Sequence, residues 1–238
     1  MTEKHRPPAP TPRATEVDAF LRKLAATPAR AGAGRGRLLF AMDATASREP
    51  SWKQAMGIQA AMFQETAALG TLDIQLAWYR GFGEFEASPW LASADALLAR
   101  MGEVRCLGGQ TQIERVLSHA AAETKATKVN AVVFVGDCME EDADRLCHLA
   151  GQLGLLGVPV FLFHEGDDPA AARVFPQIAR LSGGACLRFD ASSPRQLRDL
   201  LSAVAVFAVG GRKALEDWSG RRGGRVPELT HQVTGSRP

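Results

Sequence analysis

Residues 37–47 read Arg37-Leu38-Leu39-Phe40-Ala41-Met42-Asp43-Ala44-Thr45-Ala46-Ser47. The run Leu38 to Met42 is apolar at every position and too short for a helix, so it reads as a buried strand. A strand that is apolar on both faces belongs inside a sheet covered on both sides. The run stops at Asp43, where the chain must turn off the sheet. The side chains at 43, 45 and 47 are short oxygen donors separated by alanines. A loop leaving a strand end can aim such alternate residues into one cavity.

Working outward from that strand, the pattern alternates. Residues 51–69 place Ala55, Ile58, Met62 and Leu69 at helical spacing. Residues 72–79 alternate Leu72, Ile74, Leu76 and Trp78 with partly polar neighbours, which predicts a strand buried on one face. Gly81 and Gly83 then flank Phe82, and 84–87 reads as the return leg of a hairpin. Helices are expected at 93–101, 112–125, 142–155, 170–181 and 195–208, and strands at 129–136, 158–163 and 185–189. Strands separated by helices predict an α/β fold with a doubly wound, mostly parallel sheet, one antiparallel edge strand and helices on both faces. Ligands of such sheets bind beyond the carboxyl ends of the strands, where the strand order reverses. The loops that begin at Asp43, Asp137 and His164 are therefore the ones to inspect.

The chain has 238 residues, 46% hydrophobic and 23% charged, which excludes a largely disordered or collagen-like protein. No apolar run reaches the length of a membrane span, and the N-terminus lacks the apolar stretch of a secretory signal. The net charge of +2 is unevenly spread. Residues 1–36 carry seven Lys/Arg against three acids, and 211–238 carry six against three, leaving 15 basic and 20 acidic residues in 37–210. That division predicts a basic N-terminal arm (1–36), a folded domain (37–210) and a basic Gly/Arg-containing tail (211–238). The arm is expected to be flexible, with a short helix at 15–26 capped by Thr15. The tail is expected to be mobile. A mildly acidic body does not suit general nucleic-acid binding. The four cysteines, Cys106, Cys138, Cys147 and Cys186, form no C-x-x-C pair and are expected to be reduced thiols in the cytoplasm. Arginine outnumbers lysine 22 to 6, a bias of GC-rich bacterial genomes.

Asp43, Thr45 and Ser47 form a hard-oxygen set suited to magnesium or manganese, with calcium behind them and zinc disfavoured. Asp137 ends the apolar strand AVVFVGD. If its strand neighbours the first, Asp43 and Asp137 stand side by side and repel unless a cation lies between them. Thr111, in LGGQTQIERVL, opens a helix after two glycines that permit close backbone approach. Asp43, Ser47 and Thr111 each also have a reading as a helix cap. The acids Glu140, Glu141, Asp142 and Asp144 read as favourable charges in a helix's first turn. The segment from His164 to Asp168 reads as solvated loop, and Cys147-His148 offers no zinc spacing. Trp52, Tyr79, Phe82 and Trp90 fall near the same loops and divide between core and interface.

D-x-T-x-S at a first strand end, Gly-Gly-x-Thr before a helix and an apolar strand ending in Asp, in that order, resemble the von Willebrand factor A (VWA) domain. The resemblance covers roughly residues 37–208. It implies a metal-ion-dependent adhesion site (MIDAS) built from Asp43, Thr45, Ser47, Thr111 and Asp137. It further implies an open metal position that takes a carboxylate from a protein partner. Three features depart from the family pattern. Thr45 replaces the more frequent Ser, Gln110 intervenes between Gly109 and Thr111, and Cys138 stands where Gly is common.

No G-x-S-x-G elbow and no H-E-x-x-H occurs, and Asp43-Ala44-Thr45 lacks the second carboxylate of a D-x-D-x-T phosphatase. The sequence therefore predicts a non-enzymatic cytoplasmic adaptor that binds a partner Asp or Glu through a divalent metal. Two alternatives are a metal-assisted phosphoester hydrolase and a VWA fold that binds RNA through its basic tail.

Overall fold

The structure, a computed structural model, describes residues 12–27, 35–56, 59–66, 70–189 and 194–221. The first prolines, most of the Pro/Gly linker and the tail beyond 221 lie outside the described residues. The elements follow in the order α1 (Pro12–Ala26), β1 (Arg35–Asp43), α2 (Glu49–Met56), α3 (Gln59–Thr66), β2 (Thr71–Arg80), β3 (Glu84–Ala87), α4 (Ala94–Glu103) and α5 (Ile113–Ala126). They continue with β4 (Ala131–Gly136), α6 (Ala143–Leu155), β5 (Val160–Glu165), α7 (Pro169–Ser182), β6 (Cys186–Phe189) and α8 (Pro194–Arg221).

The six strands lie in the order β3-β2-β1-β4-β5-β6, and only β3 runs antiparallel. The chain therefore builds outward from β1 on one side, then crosses to β4 and builds outward on the other. The reversal falls between β1 and β4, so their carboxyl ends bound the crevice where such folds bind ligands. Leu38, Phe40 and Met42 face a core closed by α1, α2, α3, α4 and α8. Leu39 and Ala41 face the opposite core under α5, α6 and α7. This double covering is why the first strand is apolar at every position.

Three expectations change. The strand at 72–79 is buried on both faces, because Asp73 pairs with Arg35 and Gln75 bonds Ser88 and His119. Polar residues with partners of their own can occupy a covered face. The helix in the N-terminal arm begins at Pro12, three residues before the expected Thr15 cap. It packs on the sheet, with Phe20 against Phe161 and Phe163 at ring distances of 6.0 and 5.3 Å. The final helix does not stop near 208. The chain kinks at Gly211 (φ 66°), a conformation suited to glycine, and helix resumes to Arg221. There Leu215 and Trp218 are buried, and the Trp218 indole donates to Glu65 at 2.6 Å. Within the helix read at 51–69, the described residues form α2 and α3, while 57–58 and 67–69, with Ile58 and Leu69, lie outside the described residues. Among the described residues, no helix is long and apolar enough to cross a membrane.

Candidate metal centre

Three loops meet above the β1–β4 crevice. The first leaves β1. Ala44 N–H donates to the Tyr79 carbonyl, and Leu107 N–H donates to the Ala44 carbonyl, both at 3.0 Å. These bonds fix the loop between its neighbours. Asp43 then turns the chain locally, accepting the Thr45 N–H on Oδ1 at 2.7 Å. A short 3-10 turn, Ala46–Arg48, follows. Neither Asp43 nor Ser47 is a helix cap, since Thr45 occupies that position and makes no capping bond.

The second loop carries Thr111. Gln110 N–H donates to the Gly81 carbonyl at 3.1 Å, and Gln112 donates to the Arg80 carbonyl at 3.2 Å. Gly109 sits so close to the β2–β3 hairpin that a Cβ there would lie 2.1 Å from the Gly81 oxygen. Glycine is required by this approach. Gln112, not Thr111, occupies the N-cap position of α5, and its side chain makes no capping bond.

The third loop follows β4. Glu140 N–H donates to Thr111 Oγ1 at 3.1 Å, and the Glu140 carboxylate accepts Thr111 N–H at 3.2 Å. The Glu141 carboxylate accepts from Ile113 and Glu114 N–H at 2.7 and 2.8 Å. The acids at 140 and 141 thus satisfy the start of α5, across the crevice, and not the helix that follows them. Asp142 caps α6 and Asp144 stands in its first turn, as expected.

The structure brings the side chains of Asp43, Thr45, Ser47 and Asp137 together. Ser47 Oγ donates to Asp137 Oδ2 at 2.9 Å and lies 3.3 Å from Thr45 Oγ1. Thr111 joins this group through Glu140, three residues beyond Asp137, rather than by a bond to either aspartate. Asp43 is 0% exposed, and its Oδ2 has no hydrogen-bond partner. Asp137 Oδ1 is likewise buried and unpartnered. Two orphaned carboxylate oxygens beside two hydroxyls are a donor set that fits a divalent cation. Burial, first, and then the Asp137 charge push Asp43 up to about 6, against the Thr45 hydrogen bonds and the Arg48 charge.

Five further residues stand at the site that the sequence did not count among the ligands. Cys138 Sγ and carboxylate oxygens of Asp43 and Asp137 all lie within 4.8 Å of one another. Burial, then the charges of those two aspartates, push the Cys138 thiol up to about 12. Tyr79 is fully buried, and its hydroxyl nears Asp43 without reaching hydrogen-bond geometry; burial and that charge raise its pKa well above normal. Arg48 is 1% exposed and pairs with Glu165 at the end of β5. His164, expected in solvated loop, is buried edge-on to Phe175, and burial lowers its pKa. Glu165 could have been found by the rule that found Asp43 and Asp137: it ends a strand. Of the four aromatics, Trp52 and Tyr79 are core, Trp90 is half-buried, and Phe82 is 83% exposed at the hairpin tip.

An α/β sheet of this order, with these three loops, defines the VWA fold. No family model matches the chain, and no curated protein does. Solved structures do. Proximal thread matrix protein 1 of the mussel byssus superposes with a TM-score of 0.58 at 15% identity, over 73% of this chain and 47% of that one. A von Willebrand factor type A protein from Catenulispora acidiphila gives 0.57 at 15% identity, over 72% and 43%. The SpRpn10 VWA domain gives 0.54 at 14% identity, over 70% and 93%. This chain therefore spans a little under half of the first two proteins and matches nearly the whole of the third domain. The mussel protein has also been solved with a zinc-occupied MIDAS motif, which superposes with a TM-score of 0.54 at 13% identity, over 72% of this chain and 46% of that one.

Proposed function

We propose that this chain is a VWA-type interaction module that engages a protein partner through a divalent cation. Asp43, Thr45, Ser47 and Asp137 hold the ion, with Thr111 behind them, and a partner Asp or Glu completes its shell. The observation that carries this reading is the pair of buried, unpartnered oxygens, Asp43 Oδ2 and Asp137 Oδ1. Two ionised carboxylates this close repel each other, and a dication converts the repulsion into binding energy. The ion would present residual positive charge to a partner carboxylate, a charge-assisted contact.

The flank of the site supports a protein partner. Phe82 and Leu107 are exposed large apolar side chains, and both sit on segments bonded to the metal loops. Exposed aromatics beside a buried polar anchor are the usual make-up of an interface hot spot. Hydroxyl and carboxylate donors suit magnesium or manganese, and the mussel protein's zinc-occupied motif broadens the range of ions to be tried. We place the protein in the cytoplasm on its reduced thiols, and read it as a binding module rather than an enzyme, since no motif of a catalytic base accompanies Asp43.

The test is capture of partners by immobilised protein in magnesium, in manganese and in chelator, beside Asp43→Ala. Capture that depends on both the ion and Asp43 supports the proposal. Capture that survives chelator and the substitution sinks it.

A further inference from the structure

The geometry points to Cys138 as a ligand of the metal centre, giving an aspartate–aspartate–thiolate site for a borderline-soft dication such as zinc. This rests on the metal-centre reading above and adds the class of the ion. The sequence alone favoured magnesium, because it counted only oxygen donors.

The placement of Cys138 sets it apart from the other cysteines. Cys106 and Cys186 pack against the two apolar clusters, and Cys147 lies 3.9 Å from the Gln177 side chain. Cys138 belongs to neither cluster. It follows Asp137 directly, in the loop beyond β4, and its sulfur lies within 4.8 Å of carboxylate oxygens of both Asp137 and Asp43. A cysteine used as a small hydrophobe is buried among apolar atoms. This one instead lies beside two carboxylates, each with a buried, unpartnered oxygen.

Among the described residues, Asp43, Asp137 and Cys138 are the one group of three acidic, histidine or cysteine side chains at ligand spacing. Their donor atoms lie within 4.8 Å of one another. Tetrahedral zinc, with bonds of about 2.0–2.3 Å, sets its ligands roughly 3.5 Å apart. The three side chains therefore need to close by little more than an ångström. Ser47 or Thr45, or a partner carboxylate, would supply the fourth donor. Magnesium gains nothing from sulfur and prefers six oxygens, so the thiol separates the two ions. As the metal–sulfur bond forms, the Cys138 proton passes to solvent, so uptake releases one proton from this residue.

Cobalt(II) is the spectroscopic probe. It is titrated into the reduced, chelator-stripped full chain, beside Cys138→Ser and Asp43→Asn. The expected result is a thiolate-to-cobalt charge-transfer band in the near ultraviolet together with visible d–d bands. Cys138→Ser should lose the first and keep the second, and its zinc affinity should fall at least about tenfold. Asp43→Asn should lose both. Charge transfer absent from the wild type, or unchanged in Cys138→Ser, overturns the thiolate and leaves the metal centre standing. No cobalt binding by the wild type overturns both. An independent reading on the unaltered chain is alkylation mapped by mass spectrometry. Zinc should shield Cys138 where magnesium does not, and equal labelling in the two ions overturns the inference.

Discussion

Asp43→Asn separates the cost of the site from its use. Asp43 is 0% exposed, and burial together with the Asp137 charge raises its pKa from 3.8 to about 6. That rise, at about 1.4 kcal/mol per unit, is roughly 3 kcal/mol. The folded chain holds the Asp43 proton more tightly than the unfolded chain does. Stability from this group is therefore complete below pH 3.8 and is lost as pH climbs through about 6. At neutral pH and in chelator, the wild type carries the whole cost of a buried, ionised Asp43. Asparagine keeps the shape, and its carbonyl oxygen can still accept the Thr45 N–H. The variant should therefore be more stable than the wild type at pH 7 by up to about 3 kcal/mol. For a chain of this size that is on the order of 6–12 °C in midpoint. Urea unfolding in chelator at steps from pH 4 to pH 7 reads the difference directly. The gap should open between pH 4 and 6 and stay constant above. With a dication at 100 times its dissociation constant, the wild type should gain about 2.7 kcal/mol and the variant little. An Asp43→Asn protein less stable than the wild type in chelator at pH 7, or a gap independent of pH, would refute the reasoning.

Three other substitutions test the surrounding framework. Arg48→Met removes the buried partner of Glu165 and should cost about 3 kcal/mol, while adding Glu165→Gln should recover most of it; denaturant unfolding of both checks this. Gly109→Ala drives a methyl to 2.1 Å from the Gly81 oxygen, so it should cost about 1–3 kcal/mol and weaken manganese binding by displacing the Thr111 loop. Calorimetric titration with manganese measures the second effect. Trp218→Ala removes a buried indole bonded to Glu65 and should cost about 3–5 kcal/mol by thermal or urea unfolding; a cost below about 1 kcal/mol would return the 212–221 segment to the status of a tail.

What could be read from the sequence was local. Apolar runs marked the strands, and strand ends marked Asp43 and Asp137, because a buried strand must stop being apolar where it leaves the sheet. The order of the motifs then supplied the adjacency that the structure shows, with β1 beside β4. What could not be read was set by distant partners. Asp73 and Gln75 look like a solvent face until Arg35 and His119 cover them. Gly210-Gly211 reads as a helix end, and the chain does turn there, but Leu215 and Trp218 carry the helix on along the core. Arg48 gives no sign in its own neighbourhood that Glu165, far along the chain, will hold it under the crevice.

Those distant partners also bear on the proposal that the crevice takes an external ion. Several acids line it, and among the described residues two positive features stand at it. One is the Arg48 guanidinium, which is paired with Glu165. Its Nε and Nη2 make no hydrogen bond to Asp43, and its charge lowers the Asp43 pKa less than burial and the Asp137 charge raise it. The other is the start of α5, whose N–H groups are taken by Glu141, while Glu140 holds Thr111 just before it. Each internal source of positive potential is already committed to a different carboxylate. Asp43 and Asp137 are left facing each other with one unpartnered oxygen apiece. Had the arginine reached them, the site would have been a closed structural network. Because it is drawn aside, the two facing carboxylates keep an unmet demand for positive charge, which is the demand that the proposed divalent cation and its acidic partner would meet.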